Sequence, residues 1–391
     1  MELIYLANVR LPTEKAHGLQ IMKMCEAFAQ AGATVELVIP RRVNTPQMQR
    51  VEDLWTYYDI KIPFTLTSLS CLDWPWLVRL GLEPLWFRLI VASFSLAALR
   101  FLIHQRRRQR EFVLYTRDEH LTPWLLRFKR CLGLRVFFEA HTTHGLWWAQ
   151  RFRNVDGLIT ITYGLKQEFV EAGMPPERCL VAPDGVDLSR FSQLPERLQA
   201  RGLLHLPAER PIVCYTGHLF PWKGVHTLVE SAGLLPEVQF VIVGGMPEDV
   251  EALRRFAADH HVTNVQLVGH VPPTQVPLYL AAADVLVLPN SAREEISAHY
   301  TSPMKLFEYM AAGRPIVASD LPSLREVLTH NRNAILVKPD DPHALADGLR
   351  HLLSSPPLAA CLATTAREAV SSYTWQARAQ NLLAFIAEQI R

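Results

Sequence analysis

Several things this chain lacks narrow what it does. Charge of one sign is missing. The 40 Lys and Arg against 38 Asp and Glu leave a formal net charge of +2, too small to drive nucleic-acid binding, so any basic site is local. Cysteines are few and scattered, at 25, 71, 131, 179, 214 and 361. None forms the C-x-x-C spacing of a zinc or redox site, and reduced thiols in a reducing compartment are expected. A long uncharged apolar run is also absent. In the most apolar region, Leu77 to Ile103, the longest such stretch is Leu89–Leu99, about 16 Å of helix against a hydrocarbon core of about 30 Å, so no spanning segment is expected. The first residues, Glu2 to Leu6, read as a strand and not as a basic start leading into an apolar stretch, and a cytoplasmic protein is expected. There is no low-complexity segment and no short-period repeat.

What is present is the alternation of an α/β protein. With 391 residues, 49% hydrophobic and 20% charged, the chain is too long for one ordinary core, and two α/β domains are expected. Strands are predicted at Leu3–Ala7, Val35–Ile39, Phe112–Tyr115, Arg135–Glu139, Leu158–Thr162 and Leu180–Ala182, and again at Ile212–Tyr215, Gln239–Val243, Val265–Val268, Val285–Leu288, Ile316–Ala318 and Ala334–Val337. The clearest helices are Ala16–Ala31, Tyr163–Ala172, Gly224–Leu235, Pro303–Ala312 and Pro342–Leu353. The similar halves predict two Rossmann-like domains with parallel sheets, 1–190 and 191–371, the break falling near Asp187–Arg210. An amphipathic tail helix follows over 372–391, with Trp375, Leu382, Leu383 and Ile386 on its apolar side.

In parallel α/β sheets ligands bind beyond the carboxyl ends of strands, beside helix N-termini. At Ser302-Pro303-Met304-Lys305 the expectation is a helix capped by Ser302, with Pro303 in its first position and Gly313 ending it. Its first turn offers free N–H groups and a positive dipole end to an anion. Lys305 adds a cation where the dipole prefers an acid, which an anionic ligand would compensate. Glu308 stands about one turn on, and its carboxylate can accept from two vicinal hydroxyls. A surface Lys–Glu pair on a capped helix is the plainer alternative. A second junction, Gly217-His218-Leu219-Phe220-Pro221-Trp222-Lys223-Gly224, sets a close-approach glycine and a lysine around a helix start, although it is not a Walker loop.

These junctions resemble the donor domain of the family 4 glycosyltransferases, which have the GT-B fold. The strongest match is Lys305 to Ser319, supported by Val268-Gly269-His270-Val271, Ala283 to Pro289 and Pro183-Asp184-Gly185-Val186-Asp187. The similarity extends to Arg10–Ala31. The resemblance implies a sugar transferred from a UDP- or GDP-linked donor with retention of anomeric configuration, as in polysaccharide biosynthesis. Glu308 would bind the ribose, the amides of Pro303, Met304 and Lys305 the diphosphate, and Lys223 the phosphates. Gly18, in the loop after the first strand, would lie against the donor phosphates. His141 would contact the transferred sugar, and the backbone near His270 and Val271 would hold the base. The tail helix would cross back to the first domain. Two positions depart from the family pattern. Tyr300 stands where the first of two paired glutamates is expected, with Glu294 or Glu295 as candidate substitutes. His218 stands where a phosphate-binding arginine is usual.

Sugar transfer leaves negative charge on the departing diphosphate, which Lys223, the helix start at Ser302–Lys305 and a protonated His218 would stabilise. No two aspartates stand at i and i+2, so the D-x-D metal motif is missing and neither metal nor cofactor is expected. The acceptor would be a glycan, a glycolipid or another hydroxyl compound. Residues 74–110 have two readings. In one, Trp74, Trp76, Trp86 and Phe87 with the arginines at 106, 107, 108 and 110 lie on an anionic membrane at its inner face. In the other they are core aromatics and a solvated helix end. A nucleotide-sugar epimerase and a nucleotide-binding scaffold that no longer transfers sugar are the rival functions.

Overall fold

A computed structural model describes residues 1–390. The chain divides into two compact units, Met1–Ala182 with Trp375–Arg391, and Pro183–Thr374.

In the first unit, β1 (Glu2–Leu6), β2 (Thr34–Arg41), β3 (Thr65–Ser70), β4 (Val113–Thr116), β5 (Arg135–Ala140), β6 (Gly157–Thr160) and β7 (Cys179–Val181) form one sheet in the order β3-β2-β1-β4-β5-β6-β7. Every pairing is parallel. Central strands such as β4 are buried at every residue, as a parallel sheet covered on both faces requires. β3 escapes sequence prediction for the same reason. It is an edge strand, only half covered, and its Thr-Leu-Thr-Ser-Leu-Ser pattern carries no continuous apolar run. Helix Glu83–Arg107 puts Ile90, Phe94, Ala98 and Leu102 into the core at 0–1% exposure. It is longer than the uncharged run within it, and by length and composition alone it is apolar enough to cross a membrane.

The tail helix, Trp375–Gln389, belongs to this unit and packs along Ala16–Gln30. Trp375, Leu382, Phe385 and Ile386 are buried, while Leu383 is only half-buried. Phe385 meets Phe137 edge-on at 6.2 Å.

The second unit repeats the plan. β8 (Ile212–Thr216), β9 (Gln239–Val243), β10 (Val265–Gly269), β11 (Val285–Leu288), β12 (Ile316–Ser319) and β13 (Ile335–Val337) form a parallel sheet ordered β10-β9-β8-β11-β12-β13. One face is covered by Met304–Ala312 and Val276–Ala282, the other by Val225–Gly233 and Pro342–Ser354. In both sheets the strand order reverses direction at an inner pair, β1/β4 and β8/β11. Clefts for ligands open outside the carboxyl ends at such points.

Candidate active site

In the second unit three strand ends are laced together. The Gly217 amide donates to the Val243 carbonyl at 2.8 Å, and the Gly244 amide to the Gly269 carbonyl at 2.7 Å. Gly244 has φ +113, and a Cβ there would collide with the Gly217 carbonyl, so both the conformation and the space demand glycine. A Cβ on Gly217 would lie 2.7 Å from Lys305 Nζ. The backbone and that ammonium therefore share one tight corner.

Helix Met304–Ala312 delivers the lysine. Its Tyr309 hydroxyl accepts from the Thr216 amide at 2.8 Å, fixing the helix against the end of β8, and Gly313 closes it in the left-handed conformation at φ +64. The expected cap is corrected. Pro303, extended at ψ 122, is the N-cap residue and makes no side-chain cap. The helix starts one residue later because the Ser302 hydroxyl instead accepts from the Asp184 amide at 3.2 Å.

Lys305 is buried, and its ammonium lies 3.7 Å over the Tyr215 ring with no hydrogen-bond partner among the described residues. Burial, then the nearby charge of Lys223, depresses it well below the usual lysine range, and Glu308 opposes them. Lys223 ends the turn Pro221–Lys223 and lies over the Trp222 ring at 3.7 Å. Part of its side chain stays exposed, yet burial of its ammonium brings it down to about 7. Asn290, just past β11, is fully buried, and neither its Oδ1 nor its Nδ2 has a hydrogen-bond partner among the described residues. Buried polar atoms left unmatched by protein call for an explanation.

Glu308 faces Arg190, 3.5 Å from its carboxylate. Burial raises the Glu308 carboxyl, and Arg190 and Lys305 pull it back. Sequence reasoning missed Arg190, which closely follows the Pro183–Asp187 motif. Asp187 accepts from the Ser189 amide at 3.0 Å, which caps the turn Leu188–Phe191 that carries Arg190.

His218 is half-buried and stacks on Phe220 at 5.0 Å. His270 and Val271 follow β10 directly, with Val271 against the core. Tyr300 ends the π-turn Ile296–Tyr300. Glu294 and Glu295 are exposed, and Glu294 lines a separate cavity with Trp222 and His226.

Gly18 and His141 lie in the first unit. Gly18 is corrected from loop to helix. It sits in the first turn of Ala16–Gln30, where a Cβ would come 2.7 Å from the Tyr58 hydroxyl and against Thr13. Packing inside the unit accounts for that glycine. His141 lines a cavity of about 250 Å³ at the β1/β4 reversal, with Asn8, His17, Phe87, Arg117 and His120 among its neighbours. Its Nε2 lies 2.6 Å from Glu139 Oε1.

The arginine cluster is divided. Arg106 donates to the Gly133 and Arg110 carbonyls, and Arg110 pairs with Glu2 and Glu36 at 3.0 Å each, so these two serve the fold. The exposed apolar surface lies earlier, at Leu72, Trp74, Trp76, Val78, Leu80, Leu82, Leu85 and Phe87. Trp86 is corrected from a surface residue to a half-buried one, its indole donating to Asp73 at 2.8 Å.

The chain is similar to known proteins. Residues 18–190 match Glycosyltransferase Family 4, and residues 210–355 match Glycosyl transferases group 1. Over 244 residues the chain is 31% identical to the D-inositol 3-phosphate glycosyltransferase of Xylanimonas cellulosilytica, covering 60% of this chain and 57% of that one. It is 30% identical over 244 residues to the GDP-mannose-dependent alpha-(1-6)-phosphatidylinositol monomannoside mannosyltransferase of Mycobacterium tuberculosis, covering 59% and 62%. The chain spans roughly half to six-tenths of the length of the curated relatives it matches. Among solved structures, the sucrose-phosphate synthase of Thermosynechococcus elongatus superposes with a TM-score of 0.78 at 20% identity, covering 100% of this chain and 99% of that one. HepE of Anabaena in complex with UDP-glucose gives 0.76 at 16% identity, with the same coverage. At such identities the likeness is one of fold. With the two family matches together spanning most of the chain, two reversing parallel sheets and the Lys305–Ser319 signature in place, the chain belongs to glycosyltransferase family 4 and has the GT-B fold.

Proposed function

We propose that the protein transfers a hexose from a nucleoside-diphosphate sugar to a glycan or lipid-linked acceptor, retaining the anomeric configuration and without a metal. The observation that carries this reading is the buried, hydrogen-bond-free Lys305 ammonium beside Lys223, at a helix start and a glycine corner. An isolated buried cation is costly unless paired, and a diphosphate would pair both lysines at once. Charge then builds on the leaving diphosphate, where Lys305, Lys223, His218 and the first-turn amides of Met304–Ala312 stabilise it. Two lysines and a helix terminus supply the positive charge that a divalent ion supplies elsewhere. Glu308, held by Arg190, accepts the ribose hydroxyls, and the backbone at His270 and Val271 borders the base. His141 orients the transferred sugar. The cavity that His141 lines takes the acceptor hydroxyl.

A thermal-shift series over UDP-glucose, UDP-galactose, GDP-mannose and GDP tests the site, because a ligand that binds only the folded state raises apparent stability by mass action. At least one donor stabilises the wild type, with or without EDTA. Lys223→Ala and Glu308→Ala each weaken that shift. Equal shifts in both variants would remove the assignment.

We place the enzyme on the inner, cytoplasmic face of a membrane. Support comes from the exposed apolar side chains between Leu72 and Phe87, the Trp74–Trp76 stack at 6.3 Å and the exposed Arg79, Arg88 and Arg100, apolar and cationic surface on one segment. Co-sedimentation with phosphatidylglycerol-containing vesicles checks it. Binding weakens in W74S/W76S and in high salt. Equal binding to pure phosphatidylcholine vesicles, or none to either, would reject the membrane reading and leave the nucleotide site untouched.

A further inference from the structure

Glu139 is fully buried at the end of β5, two residues before His141, so alternation sends both side chains to one side of the sheet. Its Oε1 lies 2.6 Å from His141 Nε2, accepts from Gln20 Nε2 at 2.7 Å, and receives Arg378 Nη2 at 3.0 Å. The Tyr115 hydroxyl donates to Oε2. Arg378 comes from the tail helix, is 5% exposed, and also donates to the Ala182 carbonyl through Nε at 3.3 Å and Nη2 at 3.2 Å. Arg117 completes the ring of contacts, donating to Gln20 Oε1 at 2.7 Å.

Burial opposes the Glu139 carboxylate, but Arg378, then His141, then Arg117 hold it well below the usual carboxylate range. Tyr5, Tyr115 and Cys25 also face it. Burial first, and the Glu139 charge after it, pushes all three well above their ordinary values. The ionised carboxylate is thus surrounded by neutral or cationic groups, of which His141, in direct contact with it, and Arg117 also line the cavity at the β1/β4 reversal.

A carboxylate that accepts one imidazole N–H fixes the tautomer and plane of the ring, leaving the other nitrogen as an acceptor. We propose that Arg378, on the tail helix, is a positioning residue for His141, acting through Glu139. The ion pair fixes the carboxylate, the carboxylate holds the proton on Nε2, and Nδ1 accepts from a hydroxyl of the transferred sugar. Only that last step rests on the function proposed above, because the state of the ring is readable without substrate. The tail helix thereby belongs to the apparatus that holds the reacting sugar.

The test uses the full chain with ¹⁵N-labelled histidine, and His141→Gln assigns the His141 signals in long-range ¹H–¹⁵N spectra. In the wild type the proton resides on Nε2. Arg378→Lys keeps it there, whereas Arg378→Met gives a mixture of tautomers. The double variant Glu139→Leu/Arg378→Met removes both charges, so no uncompensated carboxylate threatens folding, and it also gives a mixture. Turnover of UDP-glucose or GDP-mannose falls with the tautomer, on the order of ten- to a hundredfold in kcat, while UDP and GDP affinity is unchanged and Arg378→Lys restores activity. A folded Arg378→Met or double variant with the wild-type tautomer overturns the proposal, as does a wild-type proton on Nδ1. A wild type that turns over neither sugar nucleotide, yet shows the expected tautomers, breaks the glycosyltransferase reading and leaves this one standing.

Discussion

The two units set ionisable side chains at the same place in the same architecture, the carboxyl ends of parallel strands, and treat them in opposite ways. In the first unit the Glu139 carboxylate is engaged on both oxygens by Arg378, Gln20, His141 and Tyr115. In the second, the Lys305 ammonium and the Asn290 amide are as deeply enclosed but meet no hydrogen-bond partner. A matched buried charge holds its neighbours in one arrangement, and an unmatched one is a standing cost that an outside charge removes. The contrast separates a place built to hold a side chain still from one that, on the function proposed above, receives an anion.

Mutations on each side sharpen that contrast. The largest effect is expected from Arg378→Met alone, which strands Glu139 and costs about 3–5 kcal/mol of folding stability. Denaturant titration reads it, and adding Glu139→Leu recovers most of the loss. Lys305→Met inverts the sign. Removing a buried amine that has no hydrogen-bond partner among the described residues stabilises the free protein by about 1–3 kcal/mol, while affinity for the sugar nucleotide falls on the order of ten- to a hundredfold. Calorimetric binding together with a melting curve shows both, and a destabilised Lys305→Met would end the comparison. The smallest effect comes from pH. Lys223 sits near 7 in the free protein, and an anion favours its charged form, so binding above pH 7 takes up a proton. Affinity for UDP-glucose or GDP-mannose then falls about tenfold per pH unit above 7 and is flat below it as far as this group is concerned. Calorimetry in buffers of different ionisation enthalpy counts the proton.

Much of this was legible in the sequence, and what was not has common causes. Strands buried on both faces announce themselves as β-branched runs, so Gln239–Val243 and Val285–Leu288 are found at their predicted bounds. The edge strand Thr65–Ser70 is hidden by its polar alternation. Lys305, Lys223 and Glu308 were readable because one helix start and one strand–loop–helix junction carry them locally. Arg190 and Arg378 were not, since each meets its carboxylate through the fold; Arg378 and Glu139 are 239 positions apart. Ser302 was misread as a cap because local rules do not foresee the Asp184 amide claiming its hydroxyl. Gly18 was singled out on resemblance alone; that Tyr58 and Thr13 leave it no room for a side chain shows only in the fold.

The second unit begins at Pro183 and ends at Thr374, and its two ends are stitched together, the Val186 amide donating to the Tyr373 carbonyl at 2.9 Å beside a Val186–Thr374 bridge. It is therefore a cassette with adjoining ends, and exchanging this unit between relatives requires two splice points. A chimera made at one splice point would import a foreign tail, and the recipient's Glu139 would then depend on whether the newcomer happens to bring an arginine in register.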